Sequence, residues 1–499
     1  MSSLVQSVDW LAIAPPTIAA VAGLVVLVAD LFLGESRKAL LGWVSTAGLA
    51  AAVLMLLPLL DGDRATFCLR GDPQVCSYTA DRFTLVIQFL VLAGALLTAL
   101  LSVTALKDAR KEIPAGEFWF LLLSSAAGAA LLPASRDLAT LIVALEVASL
   151  PAFALVGIRY GDKRSSEAAL KFFLSSVTAT AVSLMGISFV YASTGTLHLT
   201  RIADRIQHVD GQLHTLAQAG VVLTLVGFAF KTAAVPFHFW VPDTYVGAPL
   251  PVAAYLSVVG KAVGFSGLIL VTVVALPSYS DVWGPALAAL AALTMTVGNV
   301  GALRQQATRA YSAVRLLAWS SVGQAGYLLV PIAAAAYSKD AQKSIGSTVA
   351  YALMYGAVNL GAFAVAALVG RTRDQNRITD YRGLYAANPL AALLLAFFLL
   401  CLAGLPPGVI GLFAKVTVFS AAVDAGLGWL AVVMAVNVVI ALFYYLQWTA
   451  LLFRAPEGEP ARHRAPAPLT AALALTAVLG IALSGAPQLV LRFSATGLF

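Results

Sequence analysis

The sequence has 499 residues, of which 60% are hydrophobic and only 11% are charged. An ordinary soluble domain has about 25% charged residues, so this composition excludes a soluble fold of this length. The formal charge of +7 does not indicate nucleic-acid binding, because no stretch gathers basic and aromatic residues on a polar face. The composition predicts an all-α, polytopic integral membrane protein, and the N-terminus has no pattern of a removable signal peptide.

Apolar segments recur along the whole chain, and each is long enough for the ~20 residues that one membrane-spanning helix needs. We predict fourteen spans, at 13–33, 40–60, 83–106, 117–134, 138–158, 168–194, 217–235, 250–277, 284–303, 313–333, 347–370, 386–423, 427–453 and 467–485. The twelfth is too long for one straight helix and contains Pro406, Pro407 and Gly408. We therefore expect it to be one broken helix.

The basic residues of the connecting loops fall into two unequal sets on opposite sides of the membrane. The larger set is Arg37, Lys38, Lys107, Arg110, Lys111, Arg159, Lys163, Arg164, Arg304, Arg309, Arg315, Arg371, Arg373, Arg377, Arg382, Arg454, Arg462 and Arg464. The smaller set is Arg64, Arg70, Arg82, Arg136, Arg201, Arg205, Lys339, Lys343 and Arg492. The positive-inside rule places the larger set in the cytoplasm, so both termini are predicted to lie outside.

The three cysteines exclude an iron–sulfur cluster held by this chain alone, because such a cluster takes four ligands. Cys401 lies in an apolar run and is expected to pack as a small hydrophobic residue. Cys68 and Cys76 share a short polar loop on the predicted outer side, where a disulfide can persist. A disulfide and two unpaired thiols both remain open.

Four ionisable residues lie deep inside predicted spans, namely Glu146, Lys231, Lys261 and Lys415, whereas Lys171 is close enough to a helix end to reach the interface. Each such charge costs ~2.5–3.5 kcal/mol on insertion scales, so it indicates a function. Ion pairs that only tie helices together are the alternative, but three lysines and one glutamate do not pair off. Burial favours the neutral amine and a nearby carboxylate favours the ammonium form. A lysine near a glutamate is therefore predicted to be a switchable proton carrier.

Two of these lysines accompany helix breaks. Pro236 follows Lys231, and the segment 404–408 (GLPPG) precedes Lys415. The two breaks are five spans apart, so their helices run in opposite directions, as in inverted repeats whose broken helices mark an ion site. We predict four regions: three N-terminal helices at 1–116, a first five-helix repeat at 117–280, an inverted second repeat at 281–453, and a last helix at 454–499.

The sequence shows no energy source of its own. It has no GxxxxGK[ST] nucleotide loop and no GxGxxG that follows a strand. Moving one charge against 100 mV costs ~2.3 kcal/mol. That energy must come from the gradient of a second ion or from partner subunits.

Several motifs resemble the antiporter-like membrane subunits of bacterial NADH:quinone oxidoreductase (respiratory complex I), and within them the subunit N type. The most specific is 230–261, FKTAAVPFHFWVPDTYVGAPLPVAAYLSVVGK. Residues 164–173 (RSSEAALKFF), 316–327 (LLAWSSVGQAGY) and 404–415 (GLPPGVIGLFAK) are also similar to that family. The resemblance covers nearly the whole chain from about the fourth span onward.

The resemblance implies roles for individual residues. Glu146 matches the family's span 5 glutamate, Lys231 and Lys261 match its lysines of spans 7 and 8, and Lys415 matches the span 12 position. Gln324 departs from the family pattern, since many members have histidine there. Because glutamine does not titrate, a relay at that position would need water or is not required. His238 lies in the motif at a predicted cytoplasmic turn, where proton loading and a plain loop hydrogen bond are both open.

The family reading implies a translocase subunit that couples electron transfer from NADH to quinone to proton pumping across the bacterial cytoplasmic (inner) membrane. It implies no redox centre, metal or cofactor on this chain. FMN, iron–sulfur clusters and quinone are expected on partner subunits of the membrane and peripheral arms. Two alternatives remain: a subunit of a multi-subunit Na+/H+ antiporter or membrane-bound hydrogenase, and a structural subunit that conducts nothing.

Overall fold

The computed structural model describes residues 8–69, 72–109, 112–456, 464–495 and 497–499. Four members of the two sets of basic loop residues lie outside these ranges: Arg70, Arg110, Lys111 and Arg462. Within them the long helices are α1 (Ala14–Asp30), α2 (Ala39–Leu54), α3 (Arg82–Asp108), α4 (Ala115–Leu131), α5 (Leu138–Val156), α6 (Lys163–Thr194), α7 (His214–Thr232), α8 (Leu250–Ala275), α9 (Ser280–Leu303), α10 (Ser312–Ala334), α11 (Ala341–Gly370), α12 (Pro389–Ala403), α13 (Val409–Asp424), α14 (Gly428–Leu452) and α15 (Ala467–Gly485). Short helices are Leu199–Arg205, Trp240–Gly247, Leu384–Ala387 and Gln488–Leu491.

These helices confirm the predicted all-α polytopic class. Of the helices in the described ranges, 12 are long and apolar enough to cross a membrane, and α1 and α12 are shorter apolar helices. Together they fall on the fourteen predicted spans, with ends that differ by a few residues. Hydropathy predicts them well because a spanning helix must satisfy all its backbone hydrogen bonds internally and face lipid with apolar side chains.

Both predicted helix breaks are present. Helix α7 ends at Thr232, one residue after Lys231, where Ala233 takes a left-handed conformation with φ 68°. The chain becomes helical again only at Trp240–Gly247, a short helix that we did not predict. Helix α12 ends at Ala403, and α13 begins at Val409. Each break frees backbone carbonyls and amides beside a lysine.

The short polar loop that contains Cys68 and Cys76 forms a β-hairpin, which we did not predict. Strand β1 (Arg64–Leu69) pairs antiparallel with β2 (Asp72–Ala80), and Cys68 lies opposite Cys76. The two cysteines form a disulfide. His198 Nε2 lies 2.9 Å from the Cys76 carbonyl oxygen, which ties the hairpin to the segment before helix Leu199–Arg205.

A buried ion pair joins the start of α3 to the start of α5. The Arg136 guanidinium donates to the Asp81 carboxylate and to the carbonyl oxygens of Pro133 and Ser135, at 2.8 and 2.9 Å. The side chains of Arg136 and Asp81 are 8% and 10% exposed. Asp81 also caps α3 by accepting from the Thr84 amide at 2.9 Å. One carboxylate thus serves both a helix end and a buried cation.

We expect Asp81→Asn to destabilise the protein, because asparagine still caps a helix but leaves Arg136 buried without its counter-charge. Breaking a buried pair from one side costs about 3–5 kcal/mol. The half-life of the purified assembly at a fixed temperature should fall sharply. Asp137→Asn is the matched control, since Asp137 caps α5 from a half-buried position through the Thr140 amide at 2.7 Å. Equal half-lives for the two variants would contradict this account.

Candidate functional site

Lys231 lies in the last turn of α7 and is 6% exposed. Its Nζ lies over two aromatic rings, 5.1 Å from the centroid of Phe153 and 5.0 Å from that of Phe172. Such contacts contribute about 0.5–2 kcal/mol and leave the proton free to move, since a ring cannot accept it as a base. The ammonium is therefore held in place without a bound carboxylate.

A residue that follows the helix break, Trp240, holds these aromatic rings in position. The Trp240 ring stacks on Phe172 with centroids 4.3 Å apart, and its Nε1 donates to the Phe230 carbonyl oxygen at 3.3 Å. That carbonyl belongs to the last turn of α7 and also accepts from the Ala233 amide at 3.0 Å. Trp240 thus closes the broken end and keeps Phe172 beside Lys231.

Glu146 lies in the middle of α5, half-buried, and accepts a hydrogen bond from Thr180 Oγ1 at 2.7 Å. A cavity of about 10 Å³ beside Lys231 is lined by Ser125, Ser149 and Tyr255, among others. This volume is at the lower limit for one water molecule. Glu146 and Lys231 do not form a direct ion pair in the described residues, and their coupling stays a prediction.

Lys261 lies in the middle of α8, is 1% exposed, and its Nζ has no hydrogen-bond partner in the described part of the chain. It follows a π-helical segment, Leu256–Gly260. A wider turn of this type is frequent at functional sites. An ammonium without a partner is costly at such a depth, so this position favours either a neutral amine or a water partner.

A series of buried polar side chains extends from α8 towards α10 and α11. Ser257 Oγ accepts from Asn359 Nδ2 at 2.6 Å, and the Ser257 carbonyl oxygen accepts from the Tyr355 hydroxyl at 3.1 Å. The same Tyr355 hydroxyl oxygen lies 3.0 Å from Ser321 Oγ, and the Tyr245 hydroxyl oxygen lies 3.4 Å from Ser321 Oγ. All five side chains are buried. They connect α8 with α10 and α11 through groups that can both donate and accept.

A second hydrogen-bonded group lies beside Lys415, and Tyr355 of the first group lines the same cavity as Lys415. Tyr351 donates to Gln324 Oε1, and Gln324 Nε2 donates to the Tyr445 hydroxyl at 3.3 Å. Gln324, Tyr351, Tyr355 and Lys415 line one cavity of about 20 Å³, which is large enough for one water molecule. Lys415 is 5% exposed and its Nζ donates to the Ala403 carbonyl oxygen at 2.7 Å, a carbonyl freed by the second helix break.

At the other end of the motif around Lys231, Asp243 bridges two basic residues. Its carboxylate oxygens lie 3.0 Å from Lys171 Nζ and 3.6 Å from an Arg315 nitrogen. His238 is half-buried, its ring centroid is 5.6 Å from that of Trp319, and its Nδ1 has no partner among the described residues. The structure therefore places His238 at the helix break, apart from the polar chain between Lys261 and Lys415.

Sequence reasoning found the charged groups of this site but missed the polar residues between them. Those are Ser257, Ser321, Tyr351, Tyr355, Asn359 and Tyr445. Their signal was weak, because single hydroxyl and amide residues are common in membrane helices and often bond only to their own helix. Within the described ranges, no group of three or more His, Cys, Asp or Glu residues is placed to hold a metal ion.

Three comparisons give the context of this site. Residues 135–441 match a family model described as "NADH:quinone oxidoreductase/Mrp antiporter, TM". The chain is 75% identical to NADH-quinone oxidoreductase subunit N 2 of Streptomyces griseus, over 100% of this chain and 95% of that protein. It is 32% identical to a chain of respiratory complex I from Thermus thermophilus with bound aureothin, with a TM-score of 0.78 over 97% and 100% of the two chains. A chain of the Mrp complex from Dietzia has a TM-score of 0.84 over 97% and 96%, but at 22% identity it shows the fold alone.

Two broken helices and three buried lysines on a polar axis define an antiporter-like membrane subunit. The chain belongs to the NADH:quinone oxidoreductase/Mrp antiporter family, and within it to the subunit N proteins of NADH:quinone oxidoreductase. The 75% identity over the whole chain is with a subunit N protein, whereas the identity with the Mrp chain is 22%.

Proposed function

We propose that this chain translocates protons through Glu146, Lys231, Lys261 and Lys415 as the subunit N module of a proton-pumping NADH:quinone oxidoreductase. The observation that carries the proposal is that the three lysines are buried without ion-pair partners in the described ranges. Each is almost fully buried, and none has a carboxylate within ion-pair distance in the described ranges. Ion pairs that only tie helices together are therefore disfavoured, whereas a relay needs lysines of this kind.

The proposed path has three steps. A proton enters from the cytoplasm to Lys231, whose affinity for it depends on the charge of Glu146. It passes to Lys261 and then through the hydroxyl and amide groups that end at Lys415. At Gln324, where titration is impossible, the cavity shared by Tyr351 and Lys415 offers space for a water molecule to carry the proton.

The proposal also covers the membrane in which this subunit lies, its topology and its partner subunits. The chain belongs to a respiratory complex I assembly and is a multi-pass membrane protein. We place it in the bacterial inner membrane with both termini outside, between other membrane subunits. FMN, iron–sulfur clusters and quinone would then be held by partners. The helices of residues 117–280 and 281–453 would form the two inverted repeats, each with one broken helix.

The test replaces Lys261 by methionine, which keeps the length of the side chain but not its charge. Proton pumping driven by NADH should fall several-fold in isolated membranes, because the proposed path then lacks the lysine between Lys231 and Lys415. The assembled complex is quantified on a native gel. Lys339→Met is the matched control, since Lys339 is exposed and belongs to the outer set. Normal assembly with unchanged pumping would favour the structural, non-conducting alternative.

A further inference from the structure

A short helix, Trp240–Gly247, lies between the two halves of the proposed proton path. It follows the helix break after Lys231 and precedes α8, which carries Lys261. The next residue, Ala248, is extended, with φ −71° and ψ 155°. A helix of only 8 residues is not stable by itself. Contacts with the neighbouring helices therefore determine where this helix lies.

One face of the short helix packs tightly against α6. The Trp240 ring stacks on Phe172 with centroids 4.3 Å apart, and the Phe172 ring lies beside the Lys231 ammonium. At the other end of the helix, a Cβ on Gly247 would lie 2.4 Å from the Cβ of Ala168 and 2.8 Å from a backbone carbonyl oxygen of α6. Any side chain larger than hydrogen would clash there. A displacement of the short helix would therefore move the aromatic ring that contacts Lys231.

A different face of the short helix contacts the second half of the path. Tyr245 lies roughly 140° around the helix from Trp240, since an α-helix has 3.6 residues per turn. Its hydroxyl oxygen lies 3.4 Å from Ser321 Oγ, and the Tyr355 hydroxyl oxygen lies 3.0 Å from the same atom. Tyr245 is buried. One short element thus contacts both the surroundings of Lys231 and the polar side chains between α8, α10 and α11.

Asp243 is the only charged residue of the short helix, and it connects this helix to both neighbours. Its carboxylate oxygens lie 3.0 Å from Lys171 Nζ of α6 and 3.6 Å from an Arg315 nitrogen of α10. Lys171 has a second partner, Glu167, at 2.7 Å. Without the charge of Asp243, Lys171 would keep one ion pair, whereas Arg315 would lose the ion pair that it makes within the described ranges. The short helix would then be released from α10.

We propose that Asp243 is a positioning residue of the proton path, an inference that rests on the proposed function. By pairing with α6 and α10 at once, it holds the short helix where one face keeps an aromatic ring at Lys231 and another face reaches Ser321. Catalysis depends steeply on such geometry, because a misplacement of about 1 Å can cost about 100-fold in rate. Both halves of the path therefore lose their geometry together when the short helix moves.

The experiment measures NADH-driven electron transfer of membranes in H2O and in D2O, divided by the amount of assembled complex on a native gel. Asp243→Asn should lower turnover per complex by about 10-fold, less than a full 1 Å misplacement can cost. The ratio of the rates in H2O and D2O should rise, because a misplaced proton transfer then limits turnover. Asp243→Glu keeps the charge and should restore most of the turnover. Glu167→Gln is the matched control, since it also removes an exposed carboxylate from Lys171 but lies outside the short helix, and both readouts should stay unchanged.

Gly247→Ala is a second test that leaves both charged partners of Asp243 in place. Its Cβ would push the short helix away from α6, so this variant should show the same fall in turnover and the same rise in the isotope ratio. The amount of assembled complex should change little for Asp243→Asn, because exposed ion pairs contribute little to stability.

Lys231→Met is measured in the same membranes to separate this inference from the proposed function. If Lys231→Met is inactive while Asp243→Asn keeps normal turnover, the positioning role of Asp243 is overturned and the proposed function stands. A smaller amount of complex with normal turnover and a normal isotope ratio also overturns it, since Asp243 would then serve folding alone. If Lys231→Met is fully active, the proposed function fails and this inference fails with it.

Discussion

Replacement of Lys231 by methionine is expected to lower NADH-driven proton pumping and electron transfer together by about 100-fold, the usual contribution of a positioned proton-transfer group. The fold should tolerate the change. Among the described residues, the Lys231 ammonium lies over the rings of Phe153 and Phe172, and methionine also packs well against aromatic rings. Both activities are measured in isolated membranes, after a blot shows normal amounts of the assembled complex.

Electron transfer falls with pumping because the two are tightly coupled, so a blocked proton path stops redox turnover. The control is Lys343→Met. Lys343 is exposed and pairs with Asp424 at 3.0 Å, and loss of such a surface pair changes stability by only about 0–1 kcal/mol. If the Lys231 variant keeps normal assembly, electron flow and proton stoichiometry, its charge is structural and the non-conducting alternative stands.

The role of Glu146 is tested in the same assay by a double-mutant cycle. Glu146→Gln keeps an acceptor for the Thr180 hydroxyl but removes the negative charge that the proposed relay assigns to Glu146. If the two residues work as one unit, Glu146→Gln combined with Lys231→Met should be no slower than the Lys231 variant alone. Losses that multiply would instead mean that Glu146 acts elsewhere.

The sequence predicts most of this fold because the bilayer leaves few choices. Length and hydropathy locate the spans, and Pro236 and Pro406 locate the two breaks, since proline removes a helical hydrogen bond. The charged residues of the path stand out for the same reason: Lys261 in an apolar segment is too costly to be accidental. Each of these inferences rests on one segment at a time.

Features that depend on contacts between segments could not be predicted in this way. Tyr355 joins α8 to α10 only because helix packing aims its hydroxyl at Ser257 and Ser321. Asp243 bridges Lys171 and Arg315 from three separate helices. The hairpin was not predicted although residues 76–80 (CSYTA) alternate between apolar and polar, the pattern that marks a half-buried strand.

Substitution of Gly298 by alanine is expected to reduce assembly and stability strongly, because it disturbs the packing of α9 on α10. A Cβ at this position would lie 2.2 Å from the backbone nitrogen of Gly323 and 2.6 Å from its Cα. Ordinary contact begins at 3.4 Å, so the two backbones must separate by roughly 1.2 Å, the difference between 3.4 and 2.2 Å. No side-chain rotation can relieve a clash between backbone atoms. Overpacking of this kind costs about 1–3 kcal/mol, and more when the backbone cannot move.

The separation would act directly on the proposed path, because Gln324 follows Gly323 and Asn299 follows Gly298. Asn299 accepts from the Tyr444 hydroxyl at 2.9 Å and donates to Asn437 at 3.1 Å, and these bonds hold α14 beside the same pair. We expect less assembled complex on a native gel and a shorter half-life of what assembles. Gly485→Ala is the control, since a Cβ there meets nothing within 4 Å. If both variants assemble like the unmodified protein, α9 and α10 are not held at this distance, and the hydrogen bonds around Gln324 cannot depend on it.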